Sequence, residues 1–165
     1  MAKPPKTAEL SDDQLKLASR EVYYEVQGLV NDANSLSAGN LSPELTAASL
    51  NAFAQHARNL LDFLGHGTAS RRAGDLYAER YFRAMNANWS PPAMPEVLKP
   101  LKAHIDKRFA HLTVERLLLE NGAPPVWDIH AIAVALLDLV KHFAEHVDKA
   151  LLDDHWPVGL PVLKP

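Results

Sequence analysis

Apolar residues in this chain recur every three to four positions, and no segment alternates apolar and polar between hairpin turns. That spacing lines one face of a helix, whereas a half-buried strand needs a period of two. Leu15, Val22, Val26, Leu29 and Val30 make one stripe, with Tyr23 beside it. Leu50, Phe53, Ala57, Leu60 and Leu64 make a second, and Leu101, Ile105, Phe109, Leu112 and Leu119 a third. Ile129, Ile132, Ala133, Leu136, Val140, Phe143, Val147 and Leu151 make a fourth. The expectation is all-α, a single-domain bundle of four to five helices, which suits a length of 165 residues.

Punctuation sets the boundaries. Ser11 before Asp12 and Asp13 caps a helix running to about Asn34, and the acids favour the positive end of its dipole. Gly28 weakens that helix but permits close packing. Ser42-Pro43-Glu44 opens a second helix, and Gly65 stops it near Leu64. A short helix over Asp75–Met85 buries Leu76, Tyr77, Tyr81 and Phe82. The third long helix covers about Pro95 to Leu118, with its regular part from Pro100. Asn121-Gly122-Ala123-Pro124-Pro125 ends it, and Trp127-Asp128 starts a last helix from Ile129 to about Leu152. Trp89 and Trp127 are expected to anchor loops on the bundle. Residues 1–10 read as a flexible tail, 11–155 as the bundle and 156–165 as a Pro-rich tail that either packs Trp156 or clasps another subunit.

The chain has eight His and no Cys, so disulfides, thiolate metal sites and a cysteine nucleophile are excluded. A net charge of -3 is not the overall signature of a nucleic-acid binder, although a local basic face is compatible with it. The N-terminal residues lack a signal peptide's apolar segment, and no apolar run approaches the ~20 residues of a membrane span. A cytoplasmic location is expected.

Three groups of residues carry candidate chemistry. In the string His56-Ala57-Arg58-Asn59-Leu60-Leu61-Asp62, Arg58 and Asp62 are four apart and can pair. His56 and Asn59 are three apart, and a mid-helix Asn needs a reason. In the second group, His104 and His111 share a helix face with Arg108, and Lys107 lies four residues before His111. A histidine beside cations resists protonation and can serve as an acid or base near neutral pH. The third group is His142 and His146, four apart, which with His56 would make a three-histidine metal site similar to that of DinB-like bundles. His142 shares its face with Asp138, Glu145 and Lys149, which argues for a solvated row, and no metal or other cofactor is expected.

The strings EVYYEV, NAFAQHARNLLDFLG and DKRFAHLTVERL resemble those of a group of small uncharacterised bacterial helical proteins that carry HARNLxDF and AHLTxER. More distantly the chain resembles HEPN-type helical domains, many of them ribonucleases or components of defence and toxin–antitoxin systems. Their signature sets an Arg, often followed by Asn, four to six residues before a His. Here Arg108 is three before His111, and Asp106 stands where Arg is expected, so the pair would have to be Arg58 and His111 from different helices. The resemblance implies an RNA-binding or RNA-cleaving protein. His111 would be the acid/base, Arg58 or Arg108 would hold the phosphate, and His56, Asn59, Asp62, His104 and Lys107 would line the site. It also implies a homodimer and a metal-independent reaction. The alternative is a non-enzymatic helical interaction protein, in which His56, Arg58, Asp62 and His111 form an internal hydrogen-bond network. The sorted histidines point to a cationic polar cleft.

Overall fold

A computed structural model describes residues 9–66, 74–101, 105, 127–156 and 159–164. The protein is a small all-α bundle, and the described residues contain no strand. Helix α1 spans Asp12–Ser37, α2 Pro43–Leu64, α3 Glu79–Ala84 and α4 Ile129–His146. Residues 98–101 and 105 are also helical, and Leu98, Leu101 and Ile105 are buried in the core. The rest of the expected third long helix lies outside the described residues.

Caps fix the long helices. Ser11 accepts from the Gln14 N–H at 3.3 Å, and the Gln14 side chain accepts from the Ser11 N–H at 3.0 Å, closing a capping box. Ser42 accepts from the Leu45 N–H ahead of Pro43. Asp128 accepts from the Ala131 N–H at 2.9 Å. Each cap satisfies a backbone donor that the first helical turn leaves unpaired.

The C-terminus of α2 is closed as completely. Gly65 takes a φ of 92°, a left-handed conformation that suits glycine. Its N–H donates to the Asp62 carbonyl, and the His66 N–H donates to that of Leu61 at 2.8 Å. The Ala78 N–H reaches the Phe63 carbonyl at 2.8 Å, and Trp89 Nε1 donates to that of Leu64 at 3.3 Å. The last four carbonyls of α2 thus all find donors, two of them from later segments of the chain.

This closure explains why the short helix begins late. Residues 75–77 are not helical, and Leu76 and Tyr77 are half-buried rather than core. The Ala78 N–H is spent on α2, so helix starts only at Glu79, where Tyr81 and Phe82 turn into the core. Trp89 stacks on Phe82 with centroids 4.8 Å apart. Phe143 meets Phe63 edge-to-face at 5.0 Å and Tyr81 at 5.4 Å, so aromatic rings fill the centre. The Tyr81 hydroxyl donates to the Leu15 carbonyl at 3.0 Å, and burial pushes its pKa well up.

The last helix ends at His146, earlier than its apolar spacing implies. Val147 is extended, and Asp148 accepts from the Ala150 N–H to start a 3-10 turn over Lys149–Leu151. Asp competes for backbone donors in this way, and the result turns the chain toward α1. Asp153 donates its N–H to Ser19 Oγ at 2.6 Å, and Trp156 Nε1 donates to the Ser19 carbonyl at 3.0 Å. The Tyr23 hydroxyl then donates to Gly159 O at 3.0 Å. Asn34 binds the final stretch twice: its amide donates to Val162 O, and its side-chain oxygen accepts from the Lys164 N–H. The Pro-rich terminus is therefore a strap along α1 in the described residues, and Trp156 belongs to the core. At the other end Leu10 packs against that core, so the N-terminal tail gives way to structure before Ser11.

Candidate functional site

His56 of the HARN string lies on the side of α2 that faces α1, and the string's polar groups are engaged within the chain. His56 Nδ1 sits 2.7 Å from Glu25 Oε2, and His56 Nε2 sits 3.8 Å from Asp32 Oδ2, so one imidazole is clasped by two carboxylates of α1. Gly28 makes room for it. A Cβ at Gly28 would fall 2.3 Å from His56 Nε2, which gives this glycine the packing role its place in a helix requires. The Tyr24 ring lies edge-on to the imidazole at 6.1 Å. The Glu25 hydrogen bond, with Asp32 adding to it, holds His56 above the usual histidine pKa against the opposing effect of burial. Burial in turn raises the Asp32 carboxyl, partly offset by His56.

The other members of the string look elsewhere. Arg58 Nε lies 3.8 Å from Asp62 Oδ2, as their spacing implies. Asn59 accepts from the Gln55 amide at 2.9 Å and makes no contact of this kind with His56. Asn59 and Asp62 face a cleft of about 320 Å³ between α1, α2 and residues 75–77. Glu21 and Glu25 of α1 and Asp75 of the third segment complete its polar wall. Val22, Leu60, Phe63, Leu76 and Tyr77 form its apolar part. The cleft thus carries four carboxylates, where the sequence pointed to a cationic one. The cations behind that expectation, Lys107 and Arg108 with His104 and His111, lie outside the described residues.

Glu21, Glu25, Asp32 and Asp75 were missed. Glu21 and Glu25 carry a readable signal: like charges four apart on a helix repel, so their presence asks for a compensating partner. His56 is that partner for Glu25.

The remaining polar features separate from this site. His146 Nδ1 donates to the His142 carbonyl at 2.8 Å, and the His142 ring lies 5.8 Å from Trp89. Among the described residues no three His or carboxylate side chains gather to hold a metal ion, so His56, His142 and His146 do not converge there. Arg80 lies over the Tyr77 ring at 5.0 Å, and Arg83 pairs with Glu79. No helix among the described residues is long and apolar enough to cross a membrane. Comparisons with protein-family models, with curated proteins and with solved structures each find no match.

Proposed function

We propose that this chain is a non-enzymatic binding module whose cleft takes an organic cation, an ammonium or guanidinium carried on an apolar body. One observation carries the reading: a cleft of ligand size, about 320 Å³, sets four carboxylates around aromatic and aliphatic side chains. Arg58 and His56 offset part of the charge of Asp62 and Glu25, and Glu21 adds to the walls a further carboxylate that attracts a cation, while Phe63 and Tyr77 line the cleft beside its body. The same walls disfavour phosphate, which bears on the RNA reading because Arg58 already lies against Asp62. His56, bound to Glu25 and Asp32, supports a role for the HARN string in holding α2 to α1, while Arg58 and Asn59 pair within α2 itself.

The test is an NMR titration with phenethylammonium, with 3-phenylpropionate of similar shape as the anionic control. Shifts at Val22, Leu60 and Leu76 with the ammonium alone, weakened in Glu21→Gln, are the expected result. Equal binding of both probes, or of neither, overturns the cation reading. In a parallel assay with chelator present, RNA cleavage by wild type that is lost in His111→Ala would favour the ribonuclease reading instead.

A further inference from the structure

Glu25 occupies two places at once. Its carboxylate holds His56 Nδ1 at 2.7 Å, and the residue also lines the cleft. We propose, resting on the cation reading of that cleft, that His56 sets its affinity: a protonated His56 neutralises Glu25 and weakens cation binding, and its deprotonation strengthens it.

The surroundings of His56 make charge the variable rather than position. Gly28 lies so close beneath the ring that even a Cβ there would collide with it, and Glu25 and Asp32 bracket its two nitrogens. The ring is therefore packed against the α1 backbone on that side, and its two nitrogens face carboxylates in the observed position. Among the described residues the charged groups facing it are Glu25 and Asp32 of α1, and on its own helix the nearby Arg58 lies against Asp62. Tyr24 meets the imidazole in a T-shaped arrangement and adds no charge there. With the proton, His56, Glu25 and Asp32 sum to one negative charge; without it, to two. That additional charge sits at the wall of the cleft, with Glu21 one turn before Glu25.

The raised pKa of His56 places the change above the ordinary histidine range, so binding strengthens as pH rises through that value. Linkage makes the effect reciprocal, and a bound cation pulls the His56 pKa back down. A unit charge across a half-exposed wall changes affinity by about three- to tenfold.

The experiment follows the His56 ring signals by NMR from about pH 5.5 to 8.5, spanning the histidine range, with and without phenethylammonium. The dissociation constant is measured over the same range for wild type and His56→Gln. The expected results are tighter binding at high pH in wild type, a flat profile in His56→Gln, and a lower His56 pKa with ligand. Binding whose pH profile is unchanged by His56→Gln, or that leaves the His56 pKa unmoved, overturns the proposal while the cleft reading stands. Absence of binding at every pH overturns both. If His56→Gln does not fold, the ligand-induced change in the wild-type His56 pKa decides the question alone.

Discussion

Gly28 and His56 show how one residue can be placed for the sake of another. An exposed mid-helix glycine changed to alanine would gain up to about 1 kcal/mol from propensity alone. Here the added Cβ meets the imidazole at 2.3 Å, so Gly28→Ala should destabilise the protein by about 1–3 kcal/mol, as overpacked sites do. Urea denaturation of the two proteins reads the difference, and a stabilised variant would contradict the clasp. His56 adds a pH dependence of known sign. Its folded pKa lies above the unfolded value, so its stabilisation is full below about 6.5 and fades as pH rises through the folded value. Thermal melts should therefore show His56→Ala losing more against wild type near pH 5.5 than near pH 8.5, values of about one unit below and two above that point.

At the scale of elements, helix starts and stops were open to reading from local residues. Ser11, Ser42, Gly65 and Asp128 act at the positions their chemistry suggests. The end of α4 was not, because Val147, Leu151 and Leu152 keep facing the core after the helix stops. Apolar spacing therefore runs on across a break that Asp148 makes locally. The start of α3 was hidden for a different reason, since it depends on Ala78 reaching a carbonyl of another helix. The site divided along the same line. Arg58 and Asp62, four apart, were legible as a pair, whereas His56 meets Glu25 from 31 residues away and no local rule finds that partner. The α2 terminus yields a prediction at this scale. Gly65→Ala must adopt a φ near 92° with a Cβ and should cost about 1 kcal/mol. Amide exchange should then quicken at His66 and Ala78, whose N–H groups close that end. Unchanged protection would show that the left-handed turn is dispensable.

Across the whole molecule, α1 is held on two sides, by α2 through the His56 clasp and by the strap that begins at Trp156. Trp156→Ala removes a buried ring and its bond to Ser19 and should cost about 3–5 kcal/mol. Exchange protection at Lys164, whose N–H is bound to Asn34, should fall with it. A protected Lys164 in that variant would mean that Asn34 and Tyr23 hold the strap without the indole.

The strap also has a consequence for the order in which the fold assembles. His56 and Glu25 are 31 residues apart, whereas Trp156 and Ser19 are 137 apart. Closing the larger loop costs about 1.3 kcal/mol more chain entropy, by the logarithm of the ratio. The α1–α2 hairpin is thus the contact closed at least entropic cost, and the strap, like the packing of α4 on α1 and α2, is a distant contact that raises the contact order and is expected later. Refolding followed by Trp156 burial should lag behind refolding followed by helix content.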